Sequence, residues 1–199
     1  MKIQNVTLSL ITCLILASCG SSKKPAKAVY EAPKGEEIME LPCTGTKFLD
    51  DKKHFRSTGI NTSAMVQVAK NIAVSNAKAE LAGKISTTVQ TVTQNYYSQR
   101  NVEMTNSTIA KIESMTVQTV NQTLEKTRTV CDITTRVKED GPNKGKYVAY
   151  VTQEVNIEDI VSGMGEVLSK DAELRVDYEY EKFKEQFEAE MAKRTGGTN

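Results

Sequence analysis

Residues 68–85 read VAKNIAVSNAKAELAGKI, and this stretch decides the fold. Its alanines recur at every fourth position from Ala69 to Ala77, which places them on one face of a helix. Because alanine side chains are short, that face is narrow and suits close packing on a sheet. Thr62–Ser63 can cap the start of the helix, and Gly83 indicates its end.

The segments around this helix predict a small antiparallel sheet. Residues 54–59 are typical of a short strand that ends at a glycine turn. Residues 85–97 are rich in β-branched and aromatic side chains, which favours a long strand. Residues 130–137 and 147–152 flank a turn containing glycine and proline, so they predict an antiparallel hairpin. Residues 104–124 combine helical spacing with many β-branched residues, and we interpret them as a helix.

The C-terminal part of the chain shows the clearest periodicity. Apolar residues recur every three or four positions from Ile160 to Met191, which predicts a long amphipathic helix. Two alternatives stay open: the helix packs on its own domain, or it projects and pairs with a partner or a second copy. The fold class is therefore α+β, with a domain in residues 41–157 and a C-terminal helical segment in 158–199.

The first residues have the organisation of an export signal. Lys2 precedes an apolar run from Val6 to Leu16, and small residues follow before Cys19. A cysteine at that point resembles the lipobox of bacterial lipoproteins, which implies cleavage between Ser18 and Cys19 and acylation of Cys19. An ordinary secretory signal with unmodified Cys19 is the alternative. The 11-residue run is short of the roughly 20 residues that a membrane span needs.

This organisation predicts a lipid-anchored protein of the bacterial envelope. Residues 1–18 are then a signal peptide, and residues 19–40, small, polar and basic, are a flexible tether. Membrane lipid is the expected partner through acylated Cys19, since two or more acyl chains anchor firmly. Gly20 is not the aspartate associated with retention in the inner membrane. We therefore expect the outer membrane, facing the periplasm.

Charge and residue content argue against several other functions. Removing Lys2 with the signal leaves 25 basic residues against 25 acidic ones, and a nucleic-acid binder usually has a basic excess. Outside the signal and Cys19, the cysteines are Cys43 and Cys131, which are either a disulfide or two thiols. His54 is the single histidine, so a zinc site or a His–Cys nucleophile pair is not expected. We predict no cofactor, no metal site and no catalytic residues.

The order of these segments resembles the LPP-twenty-like family of bacterial lipoproteins. Residues 55–59, FRSTG, lead to the alanine-rich stretch, where residues 73–82 approximate the pattern Ala-x-x-x-Ala-x-x-Glu-Leu-Ala. Tyr147–Val151 is similar to the last strands of that family. The resemblance covers residues 53–156 and implies an envelope domain of α+β type. It supplies no catalytic residues.

Together these observations predict a non-catalytic structural or binding module held near the outer membrane by Cys19. The partner is expected to be membrane lipid, together with a protein or a second copy bound through the C-terminal helix. The alternative is an envelope enzyme, or an accessory of one, that acts on wall or surface glycan through a site of unrecognised residues.

Overall fold

The computed structural model describes residues 39–196 and, before them, Lys34, Gly35 and Glu37. The compact unit begins at Glu40. Its elements, in chain order, are a 3-10 turn Thr46–Phe48, β1 His54–Ser63, α1 Val66–Ser98, α2 Asn106–Glu125, β2 Arg128–Arg136, β3 Tyr147–Asn156, α3 Ile157–Leu168, a 3-10 turn Leu174–Val176 and α4 Tyr180–Arg194. The α+β class is therefore confirmed.

The three strands form one antiparallel sheet in the order β1-β3-β2. The predicted hairpin is confirmed as β2 and β3, with Ile133 opposite Tyr150. The strand predicted at residues 54–59 is also present, although β1 continues to Ser63 and pairs with β3 over its whole length. One face of the sheet, here called the inner face, packs against α1.

The alanine-rich stretch packs on the sheet as predicted. Ala69, Ala73 and Ala77 are fully buried, and they lie against the inner face beside Ala149 and Val151. A Cβ atom on Gly59 would stand 1.9 Å from the carbonyl oxygen of Ala73. The backbones of β1 and α1 therefore touch directly, which only a glycine facing a row of alanines allows.

The strand predicted at residues 85–97 is wrong, because α1 continues through Gly83 to Ser98. Burial in this segment repeats with the helical period, since Ile85, Val89, Val92 and Tyr96 face the interior. The hydroxyl of Thr88 donates to the carbonyl of Lys84, 2.8 Å away, so its polar group is satisfied inside the helix. Tertiary burial thus overrides the β-propensity of these residues.

The helix expected in residues 104–124 is confirmed as α2, which packs against α1. Their contact lies in the main core, where α1, α2, α3 and α4 all bury apolar side chains. Near the end of α1 the hydroxyl of Tyr97 donates to the carbonyl of Leu174, and the N–H of Glu179 donates to the hydroxyl of Tyr96. These bonds fix the connection between α3 and α4 onto α1.

The single long C-terminal helix is corrected to two helices, α3 and α4. Between them the carboxylate of Asp171 accepts hydrogen bonds from the N–H groups of Glu173 and Leu174, at 2.9 and 2.8 Å. An aspartate that bonds the backbone in this way competes with helix continuation. The apolar period spans the break, but Val176 within the connection is 77% exposed.

The described C-terminal residues belong to the same compact unit as the sheet, so residues 158–196 do not form a separate projecting segment. Phe183, Phe187 and Met191 of α4 are fully buried in the main core. Of the two alternatives for this segment, the structure shows the first: the segment packs on its own domain. The apolar face of α4 is consequently covered by its own domain.

Candidate functional site

The candidate site begins at the turn that leads into β1. The carboxylate of Asp51 accepts hydrogen bonds from the N–H groups of Lys53 and His54, at 2.7 and 2.9 Å. The N–H of Asp51 in turn donates to the carbonyl of His54. Aspartate is favoured in such turns because its short side chain can bond the backbone two or three residues ahead. The turn thereby fixes Asp51 and His54 side by side.

A buried ion pair lies next to this turn on the outer face of the sheet. Arg56 of β1 stands opposite Glu154 of β3, and its Nε donates to the Glu154 carboxylate at 2.7 Å. Their side chains are only 13% and 9% exposed. A second guanidinium nitrogen of Arg56 lies 2.8 Å from Asp51, and Arg128 of β2 reaches Glu154 at 3.3 Å.

These contacts determine the charge state of the site. Burial alone would raise the pKa of Asp51, but hydrogen bonds from the Lys53 backbone and from Arg56 outweigh it, so that pKa is lowered. Burial likewise opposes the charge of Arg56, but its hydrogen bonds to Glu154 and Asp51 raise its pKa. Asp51 and Arg56 therefore stay ionised at neutral pH.

His54 takes part in this network and not in a nucleophilic pair. Its Nδ1 lies 3.2 Å from the Asp51 carboxylate, and its Nε2 lies 4.0 Å from Glu154. Cys43 and Cys131 are joined in a disulfide, with their Cα atoms 5.7 Å apart. Neither sulfur is thus a thiol that His54 could activate.

The disulfide also holds in place the segment that forms one wall of the site. It ties the segment before the first 3-10 turn to the outer face of the sheet, where the hydroxyls of Thr58 and Thr152 both donate to the Cys43 carbonyl. Cys43 itself is 4% exposed. The segment from Cys43 to Lys53 is therefore held against the sheet, and the turn at Asp51 is held with it.

A cleft of about 1020 Å³ opens between this segment and the end of α4. Its lining includes His54 and five cationic side chains: Arg56, Lys47, Lys52, Lys53 and Arg194. Its acidic lining residues are Asp50 and Asp51, and both are already bonded within the site. Asp50 accepts from the Arg56 N–H at 2.7 Å and from Lys84 at 3.3 Å. The cleft therefore has a positive excess, which attracts anionic groups.

The remaining predicted features divide between those that the structure describes and those outside it. The signal peptide 1–18, the cleavage site at Ser18 and the acylation site Cys19 lie outside the described residues, as does most of the tether 19–40. Within the described part of the chain, no cluster of three or more histidine, cysteine or acidic residues could hold a metal ion. No helix among the same residues is long and apolar enough to cross a membrane.

Comparison with known protein families, curated proteins and solved structures found no match. The resemblance to the LPP-twenty-like lipoproteins therefore remains a prediction.

Sequence reasoning missed the central ion pair of the site, Arg56 with Glu154. They lie 98 positions apart and meet only because β1 and β3 pair in one particular register. The signal available in the sequence was weak: a charged residue at one position of each otherwise uncharged strand interior. The remaining strand, β2, carries Arg128 at the matching level.

Proposed function

We propose that this chain is a lipid-anchored lipoprotein of the bacterial envelope, held near the outer membrane by Cys19. Its compact unit from Glu40 onward acts as a non-catalytic binding module. The observation that carries the proposal is the disulfide between Cys43 and Cys131. Disulfides persist in oxidising compartments outside the cytoplasm, so this bond supports export, which the N-terminal sequence predicts independently.

The position of the disulfide suits an anchored module. Cys43 lies 24 positions after Cys19, where the predicted tether meets the compact unit. Its bond to Cys131 joins that junction to β2 and so to the whole sheet. Tension transmitted from a membrane anchor would reach the sheet directly without unravelling the segment between Cys43 and β1. The module would stand off the bilayer by roughly 25 Å if the tether behaves as a flexible coil.

The chemistry of the cleft supports binding in preference to catalysis. A glycosidase needs one carboxylic acid whose pKa is raised enough to donate a proton. Here the pKa of Asp51 is lowered, and Arg56 bonds both Asp51 and Glu154. Those two carboxylates neutralise Arg56, while the residues that line the cleft still include more cationic than acidic side chains. This arrangement suits an anionic group on a partner protein or an envelope polymer.

The anchor is tested by replacing Cys19 with alanine in the full chain expressed in a bacterial host. We expect the Cys19→Ala chain to lose incorporation of labelled palmitate, because the predicted acceptor thiol is removed. The Cys13→Ala chain is the matched control, since Cys13 lies within the predicted signal, and it should keep the label. Mass spectrometry of the wild-type N-terminus should identify an acylated residue 19. A palmitate-labelled Cys19→Ala chain, or a mature wild-type chain that begins elsewhere, would refute the proposal.

A further inference from the structure

The outer edge of β1 is closed over its first half. In an antiparallel strand, alternate residues direct both backbone groups away from the neighbouring strand. For β1 these are the even-numbered residues, because the N–H of Arg56 donates to Asp50 and its carbonyl accepts from Lys84. The N–H and carbonyl of His54 are bonded in the same way to Asp51. No further strand can add to this half of the edge.

The second half of the same edge is open. Ile60 and Thr62 are exposed, and within residues 39–196 the N–H of neither one donates a hydrogen bond. The carbonyls of Ile60 and Thr62 accept from the neutral side-chain amides of Asn76 and Asn61, at 3.2 and 3.3 Å, and both side chains can move aside. An edge with unpaired donors, and with acceptors that only such side chains occupy, is a template for another strand.

An apolar stripe of α1 runs alongside this open half. Asn76 and Lys84 show which side of α1 faces the β1 edge, and Ile72 and Val68 continue that side at intervals of four residues. Met65, Val68 and Ile72 are 64%, 37% and 41% exposed, and Ile60 itself is 38% exposed. The open edge and the stripe together form a groove with an apolar side wall, here called the β1 groove.

We propose that the β1 groove docks a second copy of this chain, with the two β1 strands paired antiparallel about a two-fold axis. A two-fold interface requires a self-complementary patch. Residues 59–63 carry no charged side chain, so self-pairing brings no like charges together. The pairing would join two three-stranded sheets into one of six strands, and each copy would cover the apolar stripe of the other.

The opposite edge of the sheet is less suited to self-pairing. β2 carries Arg128, Asp132 and Arg136, so an antiparallel pairing centred on Asp132 would set arginine against arginine and aspartate against aspartate. Like charges directly opposite each other destabilise a strand pair. The apolar face of α4, the other surface considered for a partner, is buried. This inference does not depend on the lipid anchor.

The test measures the mass of the full chain, purified in detergent, by light scattering over a range of concentrations. The wild type should be dimeric, and Ile72→Lys should weaken dimerisation at least tenfold because it places two charges in the closed groove. Val117→Lys is the matched control, since Val117 is 60% exposed on α2, away from the groove, and it should remain dimeric. Circular dichroism checks that both variants are folded. A monomeric wild type, or an Ile72→Lys chain as dimeric as the control, would overturn the proposal.

A cross-linking experiment identifies the occupant of the groove in membranes. In this pairing Thr62 lies diagonally across from Thr62 of the other copy, so Thr62→Cys treated with a short bis-maleimide cross-linker should give a band of twice the chain mass on a gel. Glu139→Cys, in the exposed β2–β3 turn, should not. A Thr62→Cys adduct of any other mass would assign the groove to a different protein and refute the second copy.

Discussion

At the scale of single residues, Gly59 sets how closely β1 approaches α1. Any Cβ at this position would collide with the backbone of Ala73 and Ala77, and backbone cannot move aside as a flexible side chain can. We therefore expect Gly59→Ala to lower the free energy of unfolding by about 3 kcal/mol, the upper range for overpacking a core. Urea denaturation followed by circular dichroism measures this loss.

Gly83 provides the matched control, because the same substitution should have the opposite sign there. Gly83 lies in the interior of α1, and a Cβ atom on it would meet nothing within 4 Å. Alanine is favoured over glycine in a helix by about 1 kcal/mol, so Gly83→Ala should stabilise the protein by up to that amount. If both substitutions destabilise equally, residues 85–97 do not continue the helix in solution.

At the scale of elements, the sequence predicted those whose hydrophobic period and propensity agree. The alanine face of α1 and the β2–β3 hairpin belong to this group. The helix α2 was predicted from its helical spacing alone, against its many β-branched residues. The second half of α1 was missed because its threonines and valines favour strands locally, while their burial follows the helical period. The break between α3 and α4 was missed because the apolar period continues across it, and the interruption comes from the side chain of Asp171 bonding the backbone.

The disulfide acts at this same scale, because it holds the segment before β1 to a strand 88 positions away in sequence. We expect the free energy of unfolding of the Cys43→Ser/Cys131→Ser double variant to be about 2–5 kcal/mol lower than that of the oxidised wild type. This is the usual effect of losing a native disulfide. Urea denaturation in the presence and absence of dithiothreitol measures it. The reductant should lower the stability of the wild type to that of the double variant and leave the variant itself unchanged. Equal stability of all four samples would contradict the bond.

At the scale of the whole molecule, the candidate site depends on contacts that no local pattern reveals. The turn around Asp51 has a local signal, since an aspartate precedes two lysines and a strand. The cleft depends on three long-range contacts. The β1–β3 register pairs Arg56 with Glu154, α4 packs back so that Arg194 lines the cleft, and the disulfide holds the segment that forms its wall. Each of these joins segments far apart in the chain, so each became visible only in the folded structure.

Because these segments meet at Asp51, its titration reports on the assembled site. The pKa of Asp51 in the folded protein is below its ordinary value of 3.8, so folding favours the ionised form. The stability it contributes is therefore fully present above about pH 4 and is lost as the pH falls through the folded pKa. Asp51→Asn should be less stable than the wild type at pH 7, and this difference should shrink at pH 3 and below. Urea denaturation of both chains at each pH measures it, and the other carboxylates cancel because the two chains share them. A difference that stays constant from pH 7 to pH 2 would mean that Asp51 is not held by Arg56 and the turn in solution.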